Sequence, residues 1–67
     1  MYSSRNYIKS YDFQPVAIVV RNEGNRYTLW FECADGTRHR EPGGYMRQPA
    51  YALAETFALP IKEEEAQ

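Results

Sequence analysis

The chain has one cysteine, one histidine, four glycines, four prolines and no long apolar run. Each scarcity closes a class of explanation. A lone cysteine forms no internal disulfide, so the fold must hold without cross-links, and such a composition suits a reducing compartment. One Cys and one His do not fill a tetrahedral zinc site, and the carboxylates lack the spacing of a calcium loop, so neither a metal nor a cofactor is expected. No apolar stretch approaches the ~20 residues of a membrane span, and Met1-Tyr2-Ser3-Ser4-Arg5-Asn6 lacks the apolar region of a signal peptide. The expectation is a soluble cytoplasmic protein with no membrane partner.

Aromatic residues, by contrast, are plentiful. Six Tyr, three Phe and one Trp stand in a chain of 67 residues, a length that makes one domain and buries only about 60% of its unfolded surface. Large rings build a small core efficiently, and Tyr and Trp also dominate energetic hot spots at interfaces. The net charge of −1 excludes a globally basic nucleic-acid binder, yet charge is unevenly spread. Residues 1–49 carry seven Lys and Arg against five acidic groups, whereas 50–67 carry four Glu against Lys62 alone. A mildly basic body thus gives way to an acidic end, and a single domain over 1–61 is expected to be followed by an acidic, solvated tail at 62–67.

Val16-Ala17-Ile18-Val19-Val20-Arg21 is a β-branched run that ends at the turn-forming Asn22-Glu23-Gly24-Asn25, and predicts a strand over 16–21. A second strand over 26–33 follows, making a hairpin with Gly24 at the turn. Asp35-Gly36 is a strong signal for a second hairpin, returning the chain along Thr37 to Glu41 as a short polar strand suited to a sheet edge. Pro42-Gly43-Gly44 is expected to end the sheet, and the Lys-Ser/Thr ending of a phosphate-binding loop is absent there. Pro49 suits a first helical turn, and Ala50, Leu53, Ala54 and Phe57, with Ile61 next in the same rhythm, form an apolar stripe on a helix over 50–59 that Pro60 stops. Residues 1–14 read as a strand through Tyr7, Lys9, Tyr11 and Phe13, although Tyr7, Ile8 and Tyr11 also fit a helical turn. The expected fold class is α+β: a small antiparallel sheet of three or four strands with one C-terminal helix on one face, β-β-β-α or β-β-β-β-α.

Within the second strand, alternation places Tyr27, Leu29, Phe31 and Cys33 on one face and Thr28, Trp30 and Glu32 on the other. Cys33 therefore reads as a small buried hydrophobe. Trp30 among polar neighbours must be covered by the chain's own N-terminal segment or by a partner. Catalysis would centre on His39 with Glu41 or Glu32, a thin constellation on a polar strand, and no enzyme is expected. The residues expected to bind a partner are Trp30, the basic pair Arg38 and Arg40, and a loop tip of Tyr45, Met46 and Arg47, whose ring, thioether and guanidinium are adaptable contact groups.

A cysteine-poor, aromatic-rich strand-strand-strand-helix chain of this size resembles phage-encoded inhibitors, anti-CRISPR proteins among them, in size and topology. The resemblance implies a protein that covers a functional surface of a larger machine. The expectation is therefore a non-catalytic protein-binding module, inhibitor or adaptor, with a larger partner bearing an acidic surface and with homodimerisation through a sheet face or edge as an addition. The alternative is single-stranded RNA or DNA binding through the same aromatic and Arg residues. The strand 26–31 lacks the glycines of the RNA-recognition signature, which places that alternative second.

Overall fold

A computed structural model describes residues 13–66; all but the last two residues of the strand expected within 1–14 lie outside them. Strand β1 (Pro15–Asn22), β2 (Tyr27–Cys33) and β3 (Arg38–Tyr45) are followed by helix α1 (Arg47–Glu55) and strand β4 (Ile61–Glu65). The sheet order is β3-β2-β1-β4, with β1 antiparallel to β2, β2 antiparallel to β3, and β4 parallel to β1. The α+β class with a helix on one face holds. The fourth strand, however, comes from the acidic end that was expected to be a solvated tail. Arg38 and Arg21 compensate Glu64 of this strand, and β1 gains a second flank.

Both hairpins form where the turn residues place them. Gly24 and Gly36 take φ of 99° and 91°, the left-handed region that glycine enters without steric cost. The Asn22 carboxamide accepts from Gly24 N–H at 2.9 Å, and Asp35 accepts from both the backbone and the hydroxyl of Thr37 at 3.0 and 2.7 Å. Those bonds from Thr37 hold the Asp35 carboxyl below its ordinary range.

Pro42-Gly43-Gly44 does not end the sheet, contrary to expectation. β3 runs through it to Tyr45, which pairs with Tyr27 after an irregularity between Tyr27 and Leu29. An edge strand tolerates proline because one side of its backbone has no ladder to complete. Gly43 adopts φ 122°, and a Cβ built there would meet the Tyr45 hydroxyl at 2.8 Å. At Gly44 a Cβ would meet the Arg26 side chain, also at 2.8 Å. Gly43 therefore lets Tyr45 fold back, where its hydroxyl donates to Glu41 at 2.8 Å and to the Pro42 carbonyl at 3.2 Å.

The helix also differs from expectation at both ends. It begins at Arg47, so Pro49 does sit in the first turn, and it stops at Glu55, ahead of Pro60. The Thr56 hydroxyl bonds back to the Leu53 carbonyl at 2.6 Å, and Ala58 takes φ 56°, so the chain unwinds before proline is reached. Ala50 and Ala54 are fully buried against Ile18, Val20, Leu29 and Phe31, with Phe57 closing the cluster. Alanine at these two places lets the helix axis approach the sheet. Val16, at the register shift between Pro15 and Ala17, is 48% exposed. Phe31 is the pivot of the core, with the Phe57 ring edge-on at 4.9 Å and Phe13 at 5.6 Å.

Phe31→Ala should cost about 3–5 kcal/mol, enough to unfold much of so small a domain, as read by urea titration of the far-ultraviolet circular dichroism. Gly43→Ala should cost about 1–3 kcal/mol through its positive φ and the clash with Tyr45, whereas an unchanged urea midpoint would show that the strand end can repack.

Candidate functional site

Sheet pairing sorts the candidate residues onto two faces. Phe31 pairs with His39, Leu29 with Glu41, and Tyr27 with Tyr45, all on the helix side. On the other face Arg40, Trp30, Val19 and Lys62 form one row across the four strands, with Arg38, Glu32 and Ala17 in the row beside it. Arg21 and Glu64 pair on the far side of Val19. Among the described residues no helix lies on this second face.

Ala17 and Val19 are nonetheless only 3% and 1% exposed. The side chains that cross the face above them are charged and joined into one network. Lys62 Nζ bonds Glu32 at 2.5 Å, Glu32 accepts from Arg38 at 3.2 Å, and Arg38 Nη1 reaches Glu64 at 3.0 Å. Arg38 and Glu64 lie on opposite edge strands, so their bond spans β2 and β1. Arg21 continues the chain towards Glu64 at 3.9 Å and Glu23 at 3.7 Å. The aliphatic stems of such side chains cover apolar surface while their charged ends meet in solvent.

The network extends to the indole. Glu23 accepts from the Thr28 hydroxyl at 2.9 Å, and Thr28 Oγ1 in turn accepts from Trp30 Nε1 at 3.0 Å. Arg40 lies over the ring with its guanidinium carbon 6.0 Å from the centroid, and one of its nitrogens approaches the Gly43 carbonyl at 3.4 Å. Trp30 is thus half-buried, bonded through its only polar atom and flanked by a cation. Thr28, 1% exposed, makes this possible because one hydroxyl both donates and accepts.

The expected contact residues therefore divide. Trp30, Arg38 and Arg40 share the face opposite α1. Tyr45 turns to the opposite side and packs against the core, because it ends β3 instead of standing at a loop tip. Arg47 opens the helix, with its guanidinium 5.4 Å from the Tyr51 centroid. Met46, at the strand-helix junction, is 71% exposed. The expected His39 constellation also divides: Glu32 lies across the sheet, Glu41 accepts from Tyr45, and the His39 ring stacks on Phe13 at 4.0 Å and 5°. Cys33 is half-buried. Among the described residues no three His, Cys, Asp or Glu converge as metal ligands, and no helix is long and apolar enough to cross a membrane. Sequence reasoning missed the contributions of Lys62 and Glu64, for which a β-branched Ile61 just after Pro60 was one local signal.

The ion network has a definite pH signature. Bonds from Lys62 and then Arg38 hold Glu32 below the ordinary 4.5, and the bond from Arg38 does the same for Glu64. A carboxylate whose folded pKa is depressed adds stability that is complete above its unfolded pKa and is lost as pH falls through the folded one. Urea midpoints should therefore hold from about pH 7 to about pH 5 and fall below about pH 4.5. Glu32→Gln should flatten that acid limb; an identical limb in the variant would show that the network adds nothing to folding.

Comparison with protein-family models, curated proteins and solved structures returns no match, so the site stands on its own geometry.

Proposed function

We propose that this protein is a non-catalytic binding module, an inhibitor or adaptor, that acts by covering a surface of a larger protein with the face of its sheet opposite α1. One observation carries this reading: Trp30 is partly exposed on a face that no described helix covers, and its indole is held by Thr28 and flanked by Arg40. A ring already fixed in place loses little conformational entropy on docking, which is how aromatic anchors gain affinity. The ion network serves the same end by ordering the long side chains around it before a partner arrives.

The chemistry of the partner narrows with the geometry. Arg38 is already bonded to two carboxylates, whereas Arg40 has none within ion-pair distance among the described residues. The acidic group expected on the partner is therefore assigned to Arg40, beside an apolar patch that meets the indole. Tyr45 and Arg47 drop out of this surface, since they serve the opposite side. A single-stranded nucleic acid would use the same ring and guanidinium, but a face whose basic groups are mostly neutralised gives a weak phosphate track.

Trp30→Ala should weaken partner binding by about 2 kcal/mol or more while costing far less stability than Phe31→Ala. Affinity capture from cell extract should recover one stoichiometric protein with the wild type and lose it with Trp30→Ala and Arg40→Ala. Recovery unaffected by either change would remove the proposed surface. Titration with labelled single-stranded RNA and DNA at two ionic strengths distinguishes the alternative, for which affinity would fall steeply with salt.

A further inference from the structure

The outer edge of β4 is the second unpartnered surface, and its composition is unusual. Among the described residues β4 is paired only with β1. The Ile18 N–H bonds the Pro60 carbonyl, and the Ala66 N–H bonds the Asn22 carbonyl, both at 2.9 Å. Since strand backbone groups alternate in direction, the N–H and C=O groups of Ile61, Glu63 and Glu65 point away from β1, to the free edge. The side chains of these same three residues lie on the helix side, in register with Ile18, Val20 and Asn22.

A groove of about 420 Å³ opens there between β4 and the helix, walled by Val20, Asn22, Tyr27, Arg47 and Tyr51 along with the glutamates of β4. The Tyr51 hydroxyl donates to a Glu63 carboxylate oxygen. Burial first, and then this bond, push the Tyr51 hydroxyl up to about 12, so it stays protonated and holds the carboxylate in place. Among the described residues no cation forms an ion pair with Glu63 or Glu65, whereas Glu64, on the other face, is bonded to Arg38. Arg47, the one base in the wall, has its guanidinium over the Tyr51 ring. That contact shows the ring accepting a cation.

We propose that the free edge of β4 binds an extended basic peptide segment as a fifth strand, with Lys or Arg at alternate positions lying beside Glu63 and Glu65 and entering the Tyr51 groove. Backbone bonds to Ile61, Glu63 and Glu65 supply the affinity of strand addition, and the paired carboxylates select its sequence. A second copy of this chain is rejected at the same edge, because β4 against β4 sets glutamate beside glutamate. The charge that guards the edge against self-association thus selects its partner. This surface is separate from Trp30, which lies on the other face.

The test uses an end-capped synthetic peptide of roughly eight residues alternating Lys with Val and Thr, followed by amide resonances of the isotope-labelled protein. Binding should slow hydrogen exchange at the amides of Glu63 and Glu65, which face outward. Glu63→Gln with Glu65→Gln should weaken it about tenfold, and Trp30→Ala should leave it unchanged. A peptide of the same composition methylated on alternate backbone nitrogens, tested against the wild-type protein, should fail to bind; this arm does not depend on the folding of any variant. Equal binding of the methylated or a charge-clustered peptide would show attraction by charge alone and overturn the proposal. Absence of binding, or exchange protection on β3 in place of β4, would overturn it as well.

Discussion

The structure depends on how the sheet protects the face that α1 does not reach. β1 is buried along Ala17, Ile18, Val19 and Val20 without alternation, so the central strand needs cover on both sides. Ile18 and Val20 find it in the helix and Phe31. Ala17 and Val19 face the other way, where the sheet's own charged side chains and Trp30 lie across them. Individual exposed ion pairs contribute little to stability, but a connected set that also shields apolar surface does two jobs. It screens Val19 from water, and it fixes the shape that Trp30 presents.

The two edges of the sheet are managed differently. β3 carries Pro42 and the left-handed Gly43, which interrupt regular pairing, and it is crowded by Tyr45 and Arg26. β4 relies on charge alone. Both devices hinder unplanned strand addition, yet a bulge rejects any partner while charge rejects only like charge. That difference separates a closed edge from a selective one, and it places the two candidate surfaces at independent positions on the molecule.

Much of this was legible in the residues. The β-branched run, the turns at Gly24 and Gly36 and the alternation through Trp30 lead directly to β1, β2, the start of β3 and the division of faces. The Ala50, Ala54 and Phe57 stripe likewise marks the buried side of the helix. What stayed hidden was non-local. Ile61-Lys62-Glu63-Glu64-Glu65 has one apolar residue and poor strand propensity, so its pairing rests on β1 and on cations contributed by Arg21 and Arg38. The unbroken apolar run of β1 was the legible clue, because an edge strand has no need to be apolar on both faces. The Tyr45-to-Arg47 segment misled for a related reason: proline and glycine punctuate a sheet interior, but at an edge they only bend the strand, which carried Tyr45 to the helix side.

Collisional quenching of the intrinsic fluorescence of Trp30, the only tryptophan in the chain, by the neutral quencher acrylamide tests the central claim most directly. A face opposite α1 roofed by ion pairs, with the indole partly exposed, predicts a quenching constant between those of a free indole and a sealed one. Emission that acrylamide leaves unquenched in the folded monomer would place the indole under cover and contradict the account.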